Sequence, residues 1–289
     1  MVKLSCLFSA AAISTILVSS AAIASSDDRQ TVSDAVIAEQ RAALAAATAG
    51  VGFGPQSPRD INTVVGNNHR AFGSAPAITE MNLCNIHFHE NAEHKGGQFT
   101  HYAGNGDGKG NGAGYKYNGK LTHSELVPSE MKIGVNEHGD LASGDTIEIH
   151  FVYSSAQVIP GPTLGACVSE AIKNPQLRVE TVVAVLVNDP GAVKFTELAK
   201  VEKTDSLYQA SNLPTNLGTP VVYAGSTTGP GYNEKASPYQ VTWSVRPRVA
   251  KVGITSVGKW LADNVFGEDH AHGVRNLVIN PDLLSQISN

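Results

Sequence analysis

Asn85-Ile86-His87-Phe88-His89-Glu90-Asn91-Ala92-Glu93-His94 and Asp145-Thr146-Ile147-Glu148-Ile149-His150-Phe151-Val152-Tyr153 are the two stretches on which the reading of this chain turns. Residues two apart in a strand project to one face, so His87 and His89 point together. In the second stretch Ile147, Ile149 and Phe151 alternate with Glu148, His150 and Val152, which also predicts a strand. If the two strands are neighbours, three imidazoles converge. An HxH pair is common by chance among ten histidines. This pair, however, lies between the apolar residues Leu83, Ile86 and Phe88, where an uncharged ring needs a partner. Three neutral nitrogens with a fourth position left open form the ligand set of a catalytic zinc site, which makes hydroxide available at neutral pH.

The rest of the chain sets limits on this reading. Residues 1–24 have the pattern of a cleaved signal peptide. Lys3 gives a positive start, Leu4 to Val18 is apolar, and Ala22-Ile23-Ala24 offers a small-x-small cleavage site. That run is too short for a membrane span, and no later stretch is longer. A secreted or periplasmic protein follows as the expectation. Cys6 would leave with the signal, so Cys84 and Cys167 remain as an even pair for one disulfide in an oxidising compartment. By strand parity Cys84, three residues before His87, faces away from the histidines. The net charge of -5 provides no basic stripe for nucleic acid, so the expected partner is a small-molecule substrate. Oligomeric state is left open.

Residues 25–52 read as an N-terminal helical arm, with an alanine-rich helix from Asp34 to Ala49 ended by Gly50. Residues 53–289 read as one mainly β domain. Strands are expected over Asn82–His89, Asp145–Ser154, Leu177–Asn188, Val221–Tyr223 and Tyr239–Val245, and a helix over Val257–Val265. The glycine-dense stretch Gly104 to Gly119 lacks the terminal glutamate of a calcium loop and is read as a flexible surface loop. His270 and His272, a second HxH, are also assigned to a surface loop.

Several motifs in one order carry a family resemblance. The strip Cys84-Asn85-Ile86-His87-Phe88-His89 with Glu93-His94-Lys95-Gly96-Gly97 resembles the delta class of carbonic anhydrases. Gln56-Ser57-Pro58-Arg59-Asp60-Ile61, Ile147 to Val152, Val182 to Val187, Tyr223-Ala224-Gly225-Ser226-Thr227-Thr228 and Val241-Thr242-Trp243 are similar to alpha-class segments. The resemblance implies a large, twisted, mostly antiparallel sheet with peripheral helices. It also implies Zn2+ on His87, His89 and His150, and reversible hydration of carbon dioxide to bicarbonate and a proton; cobalt would fit the same ligands. Glu93 would accept a hydrogen bond from a gatekeeper threonine, Thr228 or Thr227, which fixes the direction of the nucleophile's lone pair. Val152, Val183 and Val185 would form the dry substrate wall. His69, in a shortened NNxHxF-like segment, and His94 are the expected proton shuttles.

Two other classes share parts of this pattern. His87-x-His89 followed by Glu93 resembles the HxH-x3-E pattern of cupin oxygenases and isomerases, with Glu93 as a ligand. A non-catalytic binding protein could also keep a carbonic-anhydrase frame, although all three ligand histidines are present here.

Overall fold

The computed structural model describes residues 31–48, 56–71, 73–228 and 236–288. The expected signal peptide, residues 1–24, lies outside them. Eleven strands form among the described residues. They are β1 (Asn82–Glu90), β2 (His101–Asn105), β3 (Ala113–Lys116), β4 (Thr146–Ser154), β5 (Leu177–Val187), β6 (Val193–Lys194), β7 (Val201–Thr204), β8 (Leu207–Ala210), β9 (Val221–Thr228), β10 (Ala236–Val245) and β11 (Ala250–Gly253). Helix α1 spans Asp34–Thr48, α2 Phe195–Leu198 and α3 Ile254–Ala262.

Seven strands make one sheet, in which β1, β4, β5, β10 and β9 lie side by side in that order. The long ladders β1–β4, β4–β5 and β10–β9 are antiparallel, as expected. Three shorter parallel ladders make the sheet mixed: β5 pairs β10 along one half and β11 along the other, and β11 pairs β6. Every residue of β4 is buried, because the sheet is covered on both faces. On one face Phe88, Ile147, Ile149, Phe151, Val182 and Leu186 pack against α2 and α3. The rings of Phe88, Phe195 and Trp260 stack edge to face there. On the other face Val152, Val179, Val183, Val241 and Trp243 form a second core.

One local feature reverses the parity reading of Cys84. The β1–β4 register slips by a residue between Leu83 and Asn85. Beyond this bulge the alternation changes phase. Leu83 and Ile86 therefore share the helix-covered core, while Cys84 joins the core on the histidine face. There it is bonded to Cys167, 83 residues away.

The glycine-dense stretch is more ordered than its composition predicts, since β2 and β3 make it a hairpin. Gly106 has φ +57, and a Cβ on it would sit 2.1 Å from the Asn111 carbonyl oxygen. Gly114 has φ +99, with the Ala92 carbonyl oxygen 2.6 Å from the same position. Only glycine fits either site. Helix α1 covers the expected helix up to Thr48, the expected end Ala49 lying outside the described residues, and its Ile37 and Leu44 are buried. Gln40 Nε2 donates to the Gly108 carbonyl at 2.7 Å and the Val32 amide to Gly106 at 2.9 Å, so the arm holds the hairpin tip.

The Gln56-Ser57-Pro58-Arg59 segment is buried and acts as a clamp. Gln56 Oε1 accepts from the Ser285 amide, Arg59 Nη1 donates to the Ser285 carbonyl, and Ser57 Oγ donates to the Ser226 carbonyl. These bonds tie the C-terminal segment and β9 to the start of the domain.

Candidate metal centre

The antiparallel register sets His87 directly opposite His150, with His89 opposite Glu148. The three rings meet at centroid separations of 5.2, 5.1 and 4.7 Å. One ligand atom from each lies within 4.8 Å of the others. They stand on the floor of a cavity of about 380 Å³.

The partners of each ring decide which nitrogen faces that cavity. Asn85 donates its amide to the Gly161 carbonyl, so its oxygen faces His87 Nδ1, 2.6 Å away, and Nδ1 carries the proton. His89 Nδ1 lies 2.7 Å from the Gly273 carbonyl, which can only accept. His150 Nε2 lies 2.7 Å from a Glu148 carboxylate oxygen. The remaining nitrogens, which face the cavity, are Nε2 of His87, Nε2 of His89 and Nδ1 of His150. His150 Nδ1 and His87 Nε2 are 3.3 Å apart. Two such nitrogens at this distance need a proton or a metal ion between them. Two nitrogens bound at 2.0–2.1 Å to a tetrahedral ion are themselves about 3.3 Å apart. Burial, reinforced by the neighbouring imidazoles, pushes the His87 ring well below its ordinary value, and burial also lowers His89. Both are therefore neutral and available as ligands.

Glu148 was missed as a site residue, although its place two residues before His150 on a buried strand was a usable signal. It is fully buried, and one oxygen accepts from both His150 Nε2 and His94 Nδ1, each at 2.7 Å. The other accepts from the His94 amide at 3.0 Å. Burial alone would raise this carboxyl, but His94 and His150 outweigh it and hold Glu148 well below the usual carboxylate range. His94 Nε2 then accepts from the Tyr223 hydroxyl at 2.6 Å, and burial raises Tyr223 well above its ordinary value. His94, Glu148 and His150 could also be grouped as metal donors. Their contacts are hydrogen-bond distances and both His94 nitrogens are used, so this group is a support for His150.

That geometry corrects the shuttle expectation for His94, which is 0% exposed with both ring nitrogens engaged. It cannot pass protons to solvent. His69 is exposed but is not among the residues lining the cavity. His272, assigned to a surface loop, lines the cavity mouth. The C-terminal segment runs beside β1 there, and the Glu90 amide donates to His272 while the His272 amide donates to Phe88, both at 2.9 Å.

The apolar wall also differs from expectation. Val152 lines the cavity with Val179, Leu164 and Trp243. Val183 and Val185 do not, because they pair with Glu148 and Thr146 further along β4, past the cavity floor. Glu93 is buried at the cavity edge and accepts from the Arg275 amide at 3.0 Å. Its carboxylate lies 3.9 Å from His89 Nδ1 and 4.0 Å from His150 Nε2, the nitrogens that face the Gly273 carbonyl and Glu148 rather than the cavity. Thr227 and Thr228 end β9, and their side chains lie outside the described part of the structure.

The sequence matches no curated protein. Among solved structures, a hyperthermostable carbonic anhydrase from an active hydrothermal vent chimney is 16% identical, with 78% of this chain and 85% of that one covered at a TM-score of 0.27. The alpha-carbonic anhydrase of Photobacterium profundum is 15% identical, with 82% and 93% covered at a TM-score of 0.25. The family model for delta carbonic anhydrases matches residues 78–256, well over half of the chain and all three histidines. This chain therefore belongs to the delta carbonic anhydrase family.

Proposed function

We propose that His87, His89 and His150 hold one zinc ion through Nε2, Nε2 and Nδ1, at the centre of the carbon dioxide hydration site. The family's activity is the reversible hydration of carbon dioxide to bicarbonate and a proton. A divalent ion with an open position supplies a nucleophile from water at neutral pH. The chain's own residues do the remaining work. Asn85, the Gly273 carbonyl and Glu148 fix the three tautomers and ring orientations. Val152, Val179, Leu164 and Trp243 give a small apolar molecule a place to wait beside the ligands. Three imidazoles without a carboxylate suit zinc over calcium or magnesium.

The observation that carries this reading is the set of outward bonds, which leaves three lone pairs converging on the cavity floor. It also disfavours the cupin alternative. There Glu93 would be a ligand, but its carboxylate lies near the outward nitrogens of His89 and His150. By resemblance, Glu93 accepts from Thr228 or, failing that, Thr227. Export and oxidation go together with the Cys84–Cys167 disulfide. Metal analysis beside a hydration assay tests the proposal. His150→Ala is expected to lose most bound zinc and all activity; retention of both would show that His150 is no ligand.

A further inference from the structure

The Gly273 carbonyl fixes the His89 ring, yet residues 273–278 form no helix or strand. This stretch is held by bonds to distant parts of the chain. The Val274 amide donates to the Gly110 carbonyl at 3.0 Å, the Arg275 amide to Glu93 at 3.0 Å and the Val278 amide to the Pro58 carbonyl at 2.8 Å. The Asn276 side chain donates through Nδ2 to Gln40 Oε1 on α1, at 2.8 Å. Backbone without a ladder is only as well placed as such bonds make it.

Gln40 uses both ends of its amide. While Oε1 accepts from Asn276, Nε2 donates to the Gly108 carbonyl at 2.7 Å. The bonds close a ring. It runs from Gln40 to Asn276, along the backbone to Val274, across to Gly110, back to Gly108 and into Gln40 again. Gly273, the neighbour of Val274, lines the cavity with Lys109 and Asn111 of the hairpin tip. Gln40 is half-buried and Asn276 buried, so water competes poorly for the amide. The start of α1 is tied to the same hairpin, since Asn105 Nδ2 donates to Asp34 Oδ1 at 2.8 Å and to the Val32 carbonyl at 3.0 Å. Neither Gln40 nor Gly273 falls within the family match over residues 78–256.

We infer that Gln40 is a positioning residue of the metal centre, which by closing this ring holds the Gly273 carbonyl on His89 Nδ1. The inference rests on His89 as a zinc ligand. A carbonyl that drifts away frees the ring to take its other tautomer, in which Nε2 carries the proton and has no lone pair for an ion. The N-terminal arm is thereby part of the site.

The test uses the full zinc-loaded chain. Gln40→Met keeps side-chain length and helix preference and removes both bonds. Zinc affinity, from competition with a chromophoric chelator at neutral pH, is expected to fall about threefold to tenfold, below the roughly 10–100-fold that follows outright loss of an outer partner. Exchange of the His89 Nδ1 proton, followed by NMR, is expected to quicken while that of His87 does not. A stability defect alone would lower the melting temperature and leave both readouts unchanged where the protein stays folded. Asn276→Ala cuts the ring from its other side and is expected to match. Glu39→Ala, at the exposed neighbour of Gln40, is expected to behave as wild type. His89→Ala separates the two questions. If it loses zinc while Gln40→Met and Asn276→Ala bind as wild type does, the positioning role is wrong and the ligand assignment stands. If His89→Ala keeps wild-type affinity, the ligand assignment fails and this inference falls with it.

Discussion

Glu148→Gln tests the idea that a buried carboxylate sets the metal affinity of His150. The substitution keeps shape and removes charge. Glu148 accepts three hydrogen bonds, two from the His94 and His150 rings at 2.7 Å and one from the His94 amide at 3.0 Å. A carboxamide has one oxygen. Turned toward the rings, it leaves its NH2 facing the His94 amide, donor against donor, and the opposite orientation strands two ring donors. The milder arrangement still costs about 1–3 kcal/mol of stability for one unsatisfied buried donor. The ring bonds also fall to about half their charge-assisted strength. Loss of such an outer partner lowers metal affinity about 10–100-fold, or roughly 1.4–2.7 kcal/mol. Competition against a chromophoric chelator at neutral pH, with thermal melts of metal-free and loaded protein, measures both quantities. Unchanged affinity would refute the role given to Glu148.

The same residue predicts a pH dependence. Its folded-state pKa lies below the ordinary 4.5. Its contribution is therefore complete above that value and is lost as pH falls toward the folded pKa. The Gln variant should lack this portion of the acid-induced loss in chemical denaturation series run from neutral pH downward.

Removal of the Cys84–Cys167 bond by paired serine substitution frees a loop of 83 residues. It should cost about 2–4 kcal/mol in urea denaturation, and an equal midpoint in both proteins would contradict this. Val179→Tyr, on β5 directly opposite Val152 of β4 in the cavity wall, should fill the waiting space. We expect kcat/KM to fall about tenfold or more, each tenfold being roughly 1.4 kcal/mol, with zinc content unchanged. Loss of zinc would mean that the ring was not confined to the wall. Gly114→Ala, at φ +99 and 2.6 Å from the Ala92 carbonyl, should destabilise the hairpin by about 1–3 kcal/mol. Faster amide exchange across β2 and β3 would report it.

Sequence alone determined, in outline, the five strands β1, β4, β5, β9 and β10, the shared face of His87 and His89, and the presence of His150 on a second alternating run, because these depend on local periodicity. It also determined the cysteine pair, because only two cysteines follow the signal-like segment. Tertiary structure decided what lies across from what. The bulge at Cys84 moved that residue to the histidine face, since one added residue inverts strand parity. The β4–β5 register put Val179 in the wall and left Val183 and Val185 beyond it. Glu148 and His94 became a support for His150 only when β1, β4 and β9 were assembled. The carbonyl of Gly273, which sets the tautomer of His89, comes from 184 residues downstream. Periodicity records which side of its own strand a residue faces; the identity of the neighbour it meets there depends on registers and crossings that no single stretch encodes.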